Sequence, residues 1–194
     1  MYIDKLKLKN YRNYKDLSIE FSKNFNIFYG NNAQGKTNIL EALFLCASGR
    51  SHRTARDMDL VNIGSEGYII GLTLVKHGSG SSIEIRYMKN DKKRVAINEV
   101  PKKRLGDLIG HLNVVMFSPE DLMIIKEGPS ERRRFLDITI SQLKPQFFYD
   151  LQQYMRILMQ RNMLLKEMRQ KKNLASTLCV WNENLIKTGA RIIR

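Results

Sequence analysis

Cysteine is scarce in this chain: Cys46 and Cys179 lie far apart, with no CxxC and no Cys/His cluster. That usage argues against a disulfide scaffold or a structural zinc, and reads as a reduced, intracellular protein. No run approaches eighteen apolar residues, so a transmembrane helix is excluded and no membrane partner is expected. The opening MYIDKLKLKNYRNY holds no apolar block before a small-residue cleavage site, which argues against a secretory signal. Internal repeats and low-complexity linkers are missing too. Acidic residues are in short supply: 19 Asp and Glu face 33 Lys and Arg, for a net charge of +14. Polyanions are the expected partners, with nucleic acid ahead of membrane surface because no basic amphipathic anchor helix is evident. A generically basic protein is the plain alternative.

What is present comes in two styles. Residues 2–9 (YIDKLKLK) and 17–21 (LSIEF) alternate as half-buried strands do, with NYRNY at 10–14 breaking the pattern between them. Residues 25–29 (FNIFY) are almost wholly apolar and predict a buried central strand. Residues 37–47 predict a buried helix, with Leu40, Leu43 and Ala47 at helical spacing. Residues 68–75, 82–88 and 94–97 predict a strand meander with turns at 77–82 and 89–93, and LNVVMF at 112–117 a further strand. Past Pro119 everything reads as helix, beginning at 131–141 behind the starter Gly128-Pro129-Ser130. Phe147, Leu151, Tyr154, Leu158, Leu165 and Met168 keep 4-3 spacing, with Arg161 as the break. Leu174, Leu178, Trp181, Leu185, Thr188 and Ile192 repeat it beyond the basic stretch at 169–173. An antiparallel helical hairpin is expected, either as the core of a helical subdomain or as a short coiled coil. The domains are therefore placed at 1–118 and 119–194. The closing ARIIR sits inside a continuing helical pattern, which is read as the first part of a longer protein.

The chemistry concentrates in GNNAQGKT, Gly30–Thr37, which fits G-x-x-x-x-G-K-[ST]. A predicted buried strand runs into Gly30 and a predicted helix leaves from Lys36, which is the context a phosphate loop needs. Glycines let successive N–H groups curl inward around a phosphate, and the helix N-terminus adds partial positive charge. Lys36 would reach the β- and γ-phosphates of a nucleotide such as ATP, and the Thr37 hydroxyl would ligate Mg²⁺.

The residues around the loop carry a resemblance. LKLKNYRNYKDLSIEF before it, G-x-N-x-x-G-K-T-N within it and NILEAL after it resemble the heads of SMC-like ABC ATPases. Among these the RecF family is nearest, through GRSHRTARDMDLVNIG at 49–64 and DLIGHLNVVMFSPEDLMIIKEGPSERRRFLD at 107–137. The resemblance runs the whole length of the chain. It implies an α/β fold: a P-loop ABC-type ATPase head with a mixed sheet plus an antiparallel extension, followed by a helical lobe. By resemblance Gly30, Asn31, Asn32, Ala33, Gln34, Gly35, Lys36, Thr37 and Asn38 form the nucleotide site. Arg12 would approach the nucleotide, or be a solvated loop charge. Asn38 and Glu41 follow the family pattern but need be no more than helix residues. Arg50, Arg53 and Arg56, with His52, form a possible arginine loop suited to phosphate contacts with nucleotide or DNA; the plain alternative is a solvated surface loop. Ser118 and Glu120 stand where such ATPases place the Q-loop, but its usual glutamine is missing, and an acidic pair there also suits ordinary helix capping.

Two look-alikes are set aside. HGSGSS at 77–82 lies between strands and reads as a hairpin turn, and RFLDI at 134–138 has helical periodicity that forbids a buried Walker B strand. With neither a signature motif nor a Walker B carboxylate, no catalytic residue is assigned. The segment alone is expected to hydrolyse ATP no faster than background, while its parent is read as a slow DNA-stimulated ATPase.

Basic clusters at 89–94 with 102–104, at 132–134 and at 166–172 lack interleaved aromatics. Contact with the backbone of a duplex is therefore expected over base stacking. The candidates are Lys92, Lys93, Arg94, Lys102, Lys103 and Arg104. No sequence-reading motif is seen. The resemblance implies a bacterial, cytoplasmic, nucleoid-associated repair protein that forms an ATP-dependent homodimer on double-stranded or junction DNA. RecO and RecR would be its partners in loading recombinase. Rival readings are another SMC-like chromosome-maintenance head, and a nucleotide-regulated DNA-binding module without useful turnover.

Overall fold

The computed structural model describes residues 1–118, 128–168 and 175–193. The chain divides into two compact units, Met1–Asp121 and Leu122–Arg194. Expectations for Glu120 and for the basic stretch at 169–173 lie outside the described residues.

The first unit is built on a six-stranded antiparallel sheet in the order β2-β1-β3-β4-β5-β6. The strands are β1 (Tyr2–Tyr11), β2 (Tyr14–Glu20), β3 (Gly67–Lys76), β4 (Ser79–Met88), β5 (Arg94–Ile97) and β6 (Val100–Lys102). Alternation decides which face is buried. Leu6 and Leu8 of β1, Ile70, Leu72 and Leu74 of β3, and Ile83 and Ile85 of β4 all turn inward. Lys7 and Lys9, and Glu84 and Arg86, point the other way. The inward side chains join Ile39, Ala42, Leu45 and Cys46 of α1 (Lys36–Ser48) in one apolar core. Burial pushes the Cys46 thiol up to about 12, so it behaves as a small hydrophobe.

Turn chemistry sets the registers. His77 and Gly78 have φ of 51° and 80° and link Lys76 to its partner Ser79, the left-handed pair that a two-residue hairpin favours. β4 therefore begins at Ser79, inside the turn expected at 77–82 and three residues before the expected strand start at Ser82. Asn98 and Glu99, at φ 49° and 66°, make a second such turn into β6, which the sequence did not suggest. Pro101 is tolerated there because β6 is an edge strand.

Two expected strands are corrected. Residues 25–29 and 113–117 form no strand, and Phe25, Ile27, Tyr29, Val115 and Phe117 are 84–95% exposed. A central strand needs neighbours on both edges, and no described strand pairs with either segment. The antiparallel extension is thus formed by described residues, whereas a parallel part of a mixed sheet is not.

The second unit is helical: α2 (Pro129–Leu143), α3 (Pro145–Glu167) and α4 (Ala175–Ile193). Pro129 and Pro145 each open a helix, where a missing N–H costs nothing. RFLDI lies inside α2, as its periodicity indicated. Contacts run Arg161 to Asn182, Tyr154 to Gly189 and Asp150 to Arg191, so α3 and α4 are antiparallel. Arg161, the break in the apolar stripe, lies in this seam and donates through Nε to Asn182 Oδ1 at 2.6 Å.

Candidate functional site

The phosphate-loop segment curls through three left-handed or related conformations: Gly30 at φ 134°, Ala33 at 62° and Gly35 at 102°. Gly35 is required by its backbone, and a side chain there would also push two neighbouring side-chain ends aside. Its φ is one that side chains rarely adopt, and a Cβ there would lie 2.6 Å from both Asn13 Nδ2 and the Tyr14 hydroxyl. α1 starts immediately afterwards, with no side-chain cap and no acidic residue in its first turn. Its first N–H groups and the positive end of its dipole are therefore left available to an anion, with no side-chain cap and no first-turn carboxylate to occupy them. The Lys36 ammonium folds over the loop, donating to Gly30 O at 2.8 Å and Asn31 O at 2.6 Å. Asn31, Asn32, Ala33, Gln34 and Thr37 are exposed around it. These residues fit a nucleotide with its metal: exposed backbone amides and Lys36 would hold the phosphates, and the exposed Thr37 hydroxyl would be a metal ligand.

The loop is buttressed by the β1–β2 turn, which sequence reasoning did not single out for this role. Asn13 Nδ2 donates to Gln34 O at 3.0 Å, the Tyr14 hydroxyl donates to the same oxygen at 3.3 Å, and Asn38 Nδ2 donates to Asn13 Oδ1 at 2.8 Å. The only sequence signal was the break NYRNY in an otherwise alternating run.

Arg12 and Glu41 give the larger surprise. Glu41 is fully buried in α1 and binds the Arg12 guanidinium in a two-pronged pair, Nε to Oε2 at 2.9 Å and Nη2 to Oε1 at 2.7 Å. Ser51 donates to Oε1 at 2.5 Å, and Arg53 Nη1 lies 3.7 Å from Oε2. Burial by itself raises the Glu41 pKa, but hydrogen bonds from Arg12 and Ser51 and the two arginine charges outweigh it and leave the carboxyl lowered. Arg12 stands at φ 54° in its turn and also donates through Nη1 to Asp59 O at 2.9 Å. Three of its five N–H groups are thus committed to the protein. Its observed role is to tie the β1–β2 turn to the phosphate-loop helix. Neither reading made for Arg12, a nucleotide contact or a solvated charge, named this partner. Tyr11 is buried beside the same carboxylate, and burial followed by the Glu41 charge pushes its phenol far up.

The possible arginine loop divides. Arg53 joins the Glu41 network and donates to Asn38 Oδ1 at 3.1 Å, while Arg50 and Arg56 are exposed. The His52 ring meets Phe44 edge-on at 5.3 Å. The DNA candidates divide too. Lys92, Lys103 and Arg104 are exposed and Lys102 is half-buried. Arg94 is exposed but paired with Asp91 at 2.7 Å. Lys93 is corrected: its side chain is only 6% exposed and donates to Asp57 at 2.6 Å and Gly49 O at 2.8 Å. A lysine held inside by two partners is a structural cation. Ser118 ends the described part of the first unit.

Among the described residues no helix is long and apolar enough to cross a membrane. Residues 5–186 match the family model described as an AAA domain. The chain is 60% identical over its whole length to the DNA replication and repair protein RecF of Acetivibrio thermocellus and 53% identical to that of Ruminiclostridium cellulolyticum, covering 52% of each. It thus spans about half the length of the curated relatives it matches. Its fold superposes on a solved structure of the recombination mediator protein RecF with ATP in the RecFOR pathway, with a TM-score of 0.93 at 39% identity, over 99% of this chain and 52% of that one. A solved SMC ATPase matches in fold alone, with a TM-score of 0.56 at 24% identity, over 71% of this chain and 99% of that one. The chain therefore belongs to the AAA-domain family, and within it the α/β ATPase-head fold and the whole sequence are those of a RecF-like protein.

Proposed function

We propose that this chain is the phosphate-binding half of a RecF-like DNA repair ATPase. The observation that carries the reading is the Lys36 ammonium closed over the carbonyls of Gly30 and Asn31 at the uncapped start of α1. In this reading the amides of the loop and Lys36 hold the phosphates of ATP, and Thr37 holds Mg²⁺, which neutralises charge on the phosphate oxygens. The Asn13 and Tyr14 contacts keep the loop in shape, and Glu41 keeps Arg12 and Arg53 beside it.

The parent protein would dimerise when ATP is bound, engage double-stranded, gapped or junction DNA, and work with RecO and RecR in loading recombinase. It would act in the bacterial cytoplasm at the nucleoid. The exposed apolar rows Phe25, Ile27, Tyr29 and Val115, Phe117 are read as strands whose neighbours lie in the rest of the parent. No carboxylate in this chain is assigned to orienting water. The segment alone is accordingly expected to turn over ATP no faster than background, and a Lys36-dependent turnover by it would contradict that. Sedimentation of the full-length parent with and without ATP, beside a Lys36→Met variant, tests the core of the reading. An ATP-dependent monomer-to-dimer shift that the variant loses is the expected result. Nucleotide binding without any shift would leave the phosphate loop standing and remove the dimer mechanism.

A further inference from the structure

The carbonyl of Gln34 takes hydrogen bonds from two side chains at once, Asn13 Nδ2 at 3.0 Å and the Tyr14 hydroxyl at 3.3 Å. A peptide group is planar and trans, so its N–H points opposite to its C=O. Holding the Gln34 oxygen against the β1–β2 turn therefore aims the Gly35 N–H away from that turn. The plane needs such a hold because of the residue that follows it. Gly35 stands at φ 102°, and a half-turn of the plane would carry it to about −78°, which glycine adopts as readily. Any other residue would favour the negative angle; glycine leaves the choice to its neighbours. The Asn13 carboxamide lies close over Gly35, its Nδ2 and Oδ1 at 2.6 and 2.7 Å from where a Cβ would stand.

Asn13 is itself held in a ring of contacts. Its Oδ1 accepts from Asn38 Nδ2 at 2.8 Å, so the donor end of the carboxamide is the end left to face Gln34. Asn38 Oδ1 accepts from Arg53 Nη1 at 3.1 Å, and Arg53 lies 3.7 Å from the Glu41 carboxylate. Glu41 grips Arg12, the residue before Asn13. The ring thus closes through the Arg12–Asn13 peptide bond. Asn38 and Glu41 are three positions apart in α1 and share a face, and that face holds both residues of the turn. Side-chain networks whose members are satisfied rigidify what they hold. Asn13 is exposed and lies outside the apolar core, so this hold serves the loop and not the interior.

We propose that Asn13 is a positioning residue for phosphate: by holding the Gln34 carbonyl, it keeps the peptide orientation that offers the Gly35 N–H to the bound anion. Tyr14 supports it through the same oxygen. The proposal rests on the nucleotide reading above and gives the β1–β2 turn a part in affinity. Without the hold, the two orientations of the plane share the population, and apparent affinity falls with the fraction that is competent.

The test uses the full-length parent protein with Mg²⁺, by calorimetric titration of ATP and by thermal melting with and without ATP. Asn13→Leu, of similar size but without a donor, should bind ATP about three- to tenfold more weakly, the worth of one hydrogen bond. Its melting point without nucleotide should stay near that of wild type, and only the rise produced by ATP should shrink. Tyr14→Phe, which removes the longer bond, should lose less. Tripolyphosphate, which has neither base nor sugar, should lose the same factor as ATP in Asn13→Leu. A loss confined to ATP would mean that Asn13 touches the base or ribose, and would overturn the proposal. So would wild-type affinity in Asn13→Leu, or a lowered melting point with affinity unchanged. If Asn13→Leu does not fold, Asn13→Ala decides by the same measurements. Wild type failing to bind ATP, or Lys36→Met binding it as well as wild type does, would overturn the nucleotide reading itself, a distinct result from ATP binding that ignores Asn13.

Discussion

The sheet unit and the helical unit keep their interiors in different ways. Around β1, β3, β4 and α1 the buried residues are almost all apolar, and Leu6, Ile70, Ala42, Leu45 and Ile85 are wholly hidden. In α2–α4 the buried residues among those described are Ser141, Asp150, Ile157 and Thr188. One interior is dry and the other has polar layers. Apolar burial is non-directional and gives stability, whereas hydrogen bonds across a seam chiefly fix its register. Asp150 on Arg191 at 2.9 Å and Arg161 on Asn182 at 2.6 Å pin α3 against α4 at two levels. The dry unit has charged exceptions in the Glu41 carboxylate and the Lys93 side chain, and Glu41 lies at the candidate site.

Glu41→Ala breaks this contrast most directly. Leaving Arg12 without its buried partner should destabilise the sheet unit by about 3–5 kcal/mol in a urea titration. A loss below about 1 kcal/mol would mean that the pair behaves like a surface ion pair. The sign with pH follows from the lowered carboxyl. Glu41's stabilisation is in place above the ordinary value of 4.5 and is lost as pH falls through its lower folded value. Glu41→Gln should therefore show a shallower loss of stability on acidification than wild type.

Next in size is Ile70→Ala, in the wholly buried middle of β3, at about 2–5 kcal/mol. Ile157→Ala, in the α3–α4 seam, should cost less, below about 2 kcal/mol, because its surroundings are half-exposed and can collapse. Equal costs would erase the distinction between dry and polar interiors. Asp150→Ala should cost about 1–2 kcal/mol by removing the partner of Arg191. Its effect should appear as faster amide exchange in α3 and α4. Protection spread equally over β3 and β4 would count against two separately held units. Smallest of all is Glu84→Ala, on the exposed face of β4, where a pair with Arg86 at 3.2 Å is about half-exposed on both sides. Less than about 0.5 kcal/mol is expected by thermal denaturation.

Much of this was legible beforehand, for local reasons. Alternation in YIDKLKLK placed β1, and the pairing of Gly35 with Lys36 and Thr37 marked the start of α1. Pro129 announced α2, and the 4-3 stripe announced the hairpin. Other features were not legible. FNIFY and LNVVMF are as apolar as central strands, yet strand formation depends on neighbours that composition cannot supply. Asn98-Glu99 is an unusual turn pair, so β6 went unnoticed. Lys93 looked like its neighbours Lys92 and Arg94 because a charge run does not say which member turns inward.

The sequence by itself determined where a phosphate could be held. The phosphate loop is continuous, and its chemistry depends on residue type at short spacing: glycines that permit its curvature, a lysine that reaches back, and a helix start left uncapped. Only the tertiary structure decided which charges are structural and which are free to meet a partner. Arg12 found Glu41 across 29 positions, and Lys93 found Gly49 across 44. Burial, not residue type, separates a structural cation from a binding one, and burial is set by contacts between residues distant in the chain.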